Sequence, residues 1–513
     1  VLTAKQAAAI AAECRSIADR EGDHLDIEWA LEGDVIHILQ ARPITALPVA
    51  PTGGPPPKQT WEREDAYFPV PLKPLAYSAW LPYHSEAFSR VTAHFGLPFD
   101  RVDHGHWFGR VYNRLVPLGE PKSDHPLPPL PILKLAIKLA PPFRKRMAVA
   151  EIAIAEDRPM AAIDAWEEGG REAIRARTRE LLEVDLDQLS DHELAAHLSE
   201  VMEHVQQVGT DHFMVSFAGM FIIIGQLGMA MEQMLGWEPE RVLDLVQGYG
   251  RATVAHGSDI DALTRQIESD PIARSLLNSD PRDLLDRSGP GGEALRSFLH
   301  KHGHRLITVD LGEPTWAEDP APLLRMVAAR LDQTNDVGDP TASAHAAEEE
   351  AKSAITDPDE LARFELALSR ARKARPYGDE SETDVGDILA VARYIALEAD
   401  RRLTHQGTLP LEGDVFFLTI DELWHLLRGS NAPVDLDRRR AEHRWALANP
   451  SPALFGPEPS DPPPVAAFPK KVQPIAGAAM WALRLFQPRA PEHDGDGVRG
   501  LAASPGRATG PAR

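Results

Sequence analysis

Residues 26–45 read DIEWALEGDVIHILQARPIT, two apolar β-type runs on either side of a Gly-containing turn at Glu32-Gly33-Asp34. That pattern is a hairpin signal. A three-residue turn, a common hairpin length, pairs Leu31 with Val35 and sets Glu28 opposite Ile38. Side chains alternate faces along a strand, so Gln40 and Arg42 share a face and Glu28 joins them as a diagonal neighbour. A carboxylate, an amide oxygen and a guanidinium then converge. The oxygens suit a hard cation such as Mg²⁺, and the guanidinium suits a phosphate held by two parallel hydrogen bonds. A two-residue turn would carry Glu28 to the other face and break the site. The competing reading is a surface hairpin with solvated charges.

The same string resembles the C-terminal end of the ATP-grasp domain in the phosphoenolpyruvate synthase, pyruvate phosphate dikinase and rifamycin phosphotransferase group. The resemblance implies that Glu28 and Gln40 hold the nucleotide metal and that Arg42 contacts phosphate, with ATP and Mg²⁺ as cofactors. Residues 497–513, GVRGLAASPGRATGPAR, form a Gly/Pro-punctuated stretch. It is similar to the opening of the swivelling phosphohistidine domain of those enzymes. Their carrier histidine follows paired glycines in a Ser/Thr-Ser-His motif, which does not occur in this sequence. No catalytic residue is therefore assigned, and the chain is expected to be the middle of a larger enzyme, inactive toward ATP alone. Cut off from partner strands, residues 1–45 are expected to aggregate or lose order.

At 513 residues the chain is longer than one hydrophobic core usually serves. A formal charge of -23 argues against nucleic acid or an anionic membrane as the main partner. Cys14 is the single cysteine, which excludes disulfides within the chain and suits a reducing, cytoplasmic setting. Residues 213–231, FMVSFAGMFIIIGQLGMAM, run uncharged for a membrane-spanning length. Asp211 and Glu232 flank the run and three glycines interrupt it, so a helix buried on all sides is expected instead. Met214, Met220, Met229, Met231 and Met234 offer adaptable surface for an apolar ligand, or plain core.

Composition marks Pro/Gly-rich linkers at 48–59 and 488–496; the resemblance implies that they separate the end of an ATP-grasp domain (1–47), a helical acceptor domain (60–487) and the start of a phosphohistidine domain (497–513). The expected fold class is thus mainly α. Apolar spacing of three and four predicts helices over 148–183, 190–209, 211–235, 259–278 and 348–374. Ser190 with Glu193 reads as a capping box, and Asp387 as the opening of a helix through Arg402. Strands are expected near 108–116 and 415–418.

A helical block between the two catalytic ends resembles the order in rifamycin phosphotransferases, whose acceptor domain lies in the middle. Residues 68–75 (FPVPLKPL), 301–305 (KHGHR), 310–316 (DLGEPTW) and 413–419 (GDVFFLT) agree with that resemblance. Lys73 stands where the family usually has Thr, and residues 374–380 are more acidic than expected. The resemblance implies a dikinase passing the β-phosphate of ATP through a phosphohistidine to a small-molecule acceptor, with AMP and phosphate released. The acceptor is a rifamycin or another hydroxyl compound; the alternatives are pyruvate, as in phosphoenolpyruvate synthase, or a noncatalytic helical scaffold. A hydroxyl acceptor needs a base and a developing anion needs a cation, so His304, Arg305, Asp310, Trp316 and Met220 are candidates for the acceptor pocket. His300, His302 and His304 have spacings a metal site would use, but no Cys completes one.

Overall fold

The computed structural model describes residues 2–21, 25–33, 35–43, 54–55, 59–119, 128–279, 283–306, 308–331, 341–430, 434–458 and 462–485. Over these residues the chain is mostly helical. The elements that position the functional region are α1 (Ala4–Glu21), β1 (Leu25–Glu32), β2 (Val35–Pro43), β3 (Trp61–Arg63), α2 (Pro74–Phe95), β4 (Phe99–Trp107) and β5 (Arg110–Pro117). They continue with α3 (Asp191–Ser216), α4 (Ile224–Leu235), α5 (Pro358–His405), β6 (Leu454–Phe455) and α6 (Ala478–Leu483). Most of the first linker, and both C-terminal segments from 488 onward, lie outside the described residues.

The N-terminal hairpin forms with a shorter turn than expected. Glu32 pairs with Val35, which leaves two residues between them. In a regular ladder that turn would set Glu28 opposite Leu39 and aim Gln40 away. A β-bulge corrects this: Trp29 pairs with Ile38 and Glu28 with Gln40, so Leu39 is the extra residue. Asp26 then pairs with Arg42. The turn expectation was wrong, yet the bulge brings the expected side chains onto one face.

Ser190 starts the central helix as its sequence implies. The Glu193 N–H donates to Ser190 Oγ at 3.3 Å, and the Ser190 N–H donates to Glu193 Oε2 at 2.8 Å. From there α3 runs into a π-helical turn, Phe217–Ile223, and on into α4 without a break. The combined helix, Asp191–Leu235, is the one among the described residues long and apolar enough to cross a membrane by length and composition. It packs against α2, α5 and α6, and much of its apolar surface is buried in the main core. The glycines that interrupt its sequence are where neighbours approach. A Cβ on Gly225 would strike the Ala478 backbone of α6, and one on Gly228 would strike the Trp481 ring.

The expected 348–374 helix is split at 355–357, after Ala342–Ala354, and its second part merges with the expected 387–402 helix. α5 is 48 residues long and runs through Pro376, so Asp387 lies mid-helix and opens nothing. Proline removes a hydrogen bond and crowds the preceding turn. Burial of Tyr377, Ile388, Leu389, Ile395 and Ala396 in the main core outweighs that local cost. The predicted 148–183 helix is instead broken into Pro141–Ala155, Arg158–Ala165, a π-turn and Arg171–Leu182. Residues 99–117 form the β4–β5 hairpin, with Phe108 and Gly109 at positive φ in its turn, while 414–417 is 3₁₀-helix rather than strand. In the sheet the strand order is β4-β5-β3-β6. A second, smaller core gathers Ile260, Leu263, Leu295, Phe298, Trp316 and Leu324.

Gly225→Ala is expected to destabilise the fold by roughly 1–3 kcal/mol, the usual cost of overpacking. Leu366→Ala on exposed α5 surface should stay within about 0.5 kcal/mol. Urea unfolding of the two variants, followed by helical circular dichroism, checks the difference.

Candidate functional site

A chain of polar side chains runs through the junction of α2 with the small sheet. β4 and β5 pair His104 with Asn113 across the ladder. His104 Nδ1 lies 2.6 Å from Asn113 Oδ1, and His104 Nε2 lies 2.7 Å from Nδ1 of His84 on α2. At the other end Asn113 Nδ2 donates to Glu64 Oε2 at 2.5 Å. Glu64 sits just after β3, where its N–H donates to the Val111 carbonyl at 3.0 Å and its Oε1 accepts from the Ala66 N–H at 3.2 Å. Burial raises the Glu64 carboxyl pKa, opposed by its backbone and Asn113 hydrogen bonds.

A third imidazole approaches from α3. His212 Nδ1 lies 2.8 Å from Oγ of Ser381 on α5, and that hydroxyl donates to the Gly378 carbonyl at 2.9 Å. The Phe213 ring contacts both imidazoles edge-on, with centroids 4.5 Å from His84 and 5.2 Å from His212. Burial lowers the pKa of His104 and of His212 to about 4. It pushes His84 well below its usual value, and neighbouring His104 and His212 add to the effect. All three are therefore neutral at pH 7.

Beside them the acidic stretch of α5 is met by arginines. Arg171 bonds Glu380 at 2.5 Å and Asp384 at 3.0 Å, and Arg175 bonds Asp384 at 2.9 Å. Asp384 is buried, which raises its pKa against the pull of both guanidiniums. A separate groove of about 890 Å³ lies between α4, α5 and α6, where Met229, Leu366, Pro463, Met480 and Trp481 give it apolar walls. Its size falls within the range of small-molecule sites.

The sequence-predicted acceptor residues do not gather in one pocket. Trp316 is in the second core, with its ring 5.9 Å from Phe298. Asp310 is 1% exposed and lies 3.6 Å from Lys73 Nζ. Its Oδ1 also accepts from the Gly312 N–H at 2.8 Å. Lys73, the departure from the family pattern, is thus the counter-charge of a buried carboxylate. His304 Nδ1 lies 2.9 Å from the Tyr394 hydroxyl, while His302 Nε2 lies 2.8 Å from Asp259. No group of three metal-ligating side chains occurs among the described residues, and these histidines point to different partners.

Arg305 and Met220 do border the polar region. Arg305 grips Asp387 on α5 through Nε at 2.8 Å and Nη2 at 3.3 Å. Met220, in the π-helical turn, lies against Gly378, whose carbonyl holds Ser381. Of the other methionines, Met231 is core and Met229 lines the groove. On the N-terminal hairpin, Arg42 is engaged by Asp26 at 2.7 and 2.9 Å, a partner that sequence reasoning missed although strand register names it. His84, His104 and His212 were missed as well. They come from three elements distant in sequence, and only the DHGHW alternation of residues 103–107 hinted at one of them.

A family model described as "Rifampicin phosphotransferase fourth domain" matches residues 212–379, which run from His212 through most of the acidic stretch. A rifampicin phosphotransferase of Streptomyces sviceus is 27% identical over 485 residues, covering 86% of this chain and 53% of that protein. Another, from Streptomyces sp, is 26% identical over 489 residues with the same coverage. The chain is thus similar to rifampicin phosphotransferases along most of its length, as the sequence motifs implied. It spans about half the length of the curated relatives it matches.

Removing Lys73 leaves Asp310 buried without its counter-charge, so Lys73→Met is expected to cost roughly 3–5 kcal/mol at pH 7. Burial raises the Asp310 pKa in the folded state, so its charged form is the costly one. The penalty is relieved as pH falls through that raised value. Denaturant unfolding of wild type and variant at pH 7 and pH 4 tests this; a smaller difference at pH 4 is expected.

Proposed function

We propose that this chain is the acceptor-binding part, with flanking catalytic segments, of an ATP-dependent phosphotransferase acting on a rifamycin or another hydroxyl compound. The observation that carries the reading is the similarity to rifampicin phosphotransferases over 86% of the chain, joined by the family-model match to residues 212–379 of the helical middle. In this reading residues 60–487 bind the acceptor, 1–47 end an ATP-grasp domain, and 497–513 begin a phosphohistidine domain. The β-phosphate of ATP passes to a histidine beyond residue 513 and then to the acceptor, with AMP and phosphate released. The missing parts of both domains are the chain's partners within one cytoplasmic polypeptide.

The hairpin fits its assigned role. Glu28 and Gln40 are cross-strand partners, so their hard oxygen donors share a face, as Mg²⁺ requires. Bound there, Mg²⁺ would neutralise phosphate charge and align the displacement. Arg42 keeps Nη1 free of protein bonds among the described residues, which leaves it a donor toward phosphate while Asp26 fixes the guanidinium plane. On the helical domain, the neutral imidazoles and, separate from them, the apolar groove each suit an uncharged or weakly charged hydroxyl compound better than a small carboxylate.

Calorimetric titration of this chain with a rifamycin, and in parallel with pyruvate, tests the assignment. Micromolar rifamycin binding with no pyruvate signal is expected. A pyruvate signal alone would point to the phosphoenolpyruvate synthase alternative, and silence from both would contradict the rifamycin assignment.

A further inference from the structure

The protonation of the buried chain is fixed from its far end. Glu64 Oε1 accepts from a backbone N–H and Oε2 from Asn113 Nδ2, which orients the amide with Oδ1 toward His104. An amide oxygen only accepts, so His104 Nδ1 must carry the proton. Because His104 is neutral, its Nε2 is a bare lone pair. The 2.7 Å contact then requires His84 Nδ1 to donate. His84 is neutral too, and its proton is now spent, so Nε2 is left unprotonated.

That nitrogen is not used by the fold. Among the described residues no hydrogen bond to His84 Nε2 is formed, it is not one of the fully buried polar atoms left without a partner, and the residue as a whole is only partly buried. The same logic applies to His212. Ser381 Oγ spends its proton on the Gly378 carbonyl, so it accepts from His212 Nδ1–H and leaves His212 Nε2 bare. Two neutral imidazoles on either side of Phe213 therefore each carry a lone pair suited to a hydroxyl donor.

We propose that His84 is the general base for the acceptor hydroxyl, held in its working tautomer by the positioning residues His104, Asn113 and Glu64. The proposal rests on the phosphotransferase reading above. As the acceptor oxygen attacks an N-phosphohistidine donor, its O–H proton passes to His84 Nε2 and the new O–P bond forms. The P–N bond breaks, and its electron pair stays on the donor imidazole. The imidazolium formed at His84 is stabilised through its Nδ1–H bond to His104 and, across Asn113, by the Glu64 carboxylate. His104 and His212 are the titratable groups close enough to bias the charge on His84.

The test uses the complete polypeptide and reads its two half-reactions separately. His84→Gln should form phosphoenzyme and AMP from ATP at the wild-type rate and bind a rifamycin normally. Its phosphorylation of that rifamycin should fall by about 10²–10⁴-fold, the usual worth of a general base. Asn113→Leu should lose a smaller share of transfer. In ¹⁵N imidazole spectra, wild-type His84 should show an unprotonated Nε2, and Asn113→Leu a mixture of tautomers. Undiminished transfer by His84→Gln, or a protonated Nε2 in the wild type, overturns the proposal. If His84→Gln also loses acceptor binding, the Asn113→Leu rates and the spectra decide. A wild-type enzyme that makes phosphoenzyme but phosphorylates no rifamycin or other hydroxyl acceptor overturns the functional reading, and the role of His84 with it.

Discussion

A 45-residue helix with so apolar a stretch has to have that stretch largely covered, and much of the chain is arranged to do so. α2, α5 and α6 each take a face, and Gly225 and Gly228 let α6 approach to backbone contact. The constraint is steric as much as hydrophobic. Close-packed interiors forfeit dispersion energy over gaps of less than an ångström, so small residues decide where helices may cross. The π-helical turn at Phe217–Ile223 lies in this same stretch, beside the buried polar groups of α5. Such turns are frequent at functional sites, since they re-aim side chains without breaking the helix.

Burial on this scale dictates the electrostatics. Carboxylates on α5 cannot remain charged in the interior without partners, and Arg171, Arg175 and Arg305 supply them for Glu380, Asp384 and Asp387. Lys73 does the same for Asp310. Histidines respond differently because they can give up their charge. His84, His104 and His212 stay neutral, and hydrogen bonding settles which nitrogen keeps a proton. A packing problem thus ends in a chemical property: lone pairs held in fixed positions beside apolar surface.

Much of this was legible in the sequence. The capping box at Ser190 and Glu193, the buried character of residues 213–231 and the hairpin at 26–43 all follow from local rules. The failures have physical causes. A bulge at Leu39 compensates for a shorter turn, and nothing in the local pattern marks it. Pro376 signals a helix end that tertiary burial overrides. Of the acceptor candidates, Trp316 and Asp310 carry the right chemistry but belong to a second core and a structural ion pair. The histidine chain was invisible because it is assembled from α2 and the β4–β5 hairpin, with α3 alongside, and spacing along one chain does not report such meetings.

In the proposed reaction, phosphate would reach a hydroxyl acceptor on this helical domain from the middle position of ATP, by way of a carrier histidine elsewhere in the polypeptide. Incubating the complete enzyme and a rifamycin with ATP labelled at either the β- or the γ-phosphorus tests it most directly. Label is expected in the antibiotic from the β-position and in free phosphate from the γ-position. Label from the γ-position in the antibiotic, with ADP as the nucleotide product, would contradict it.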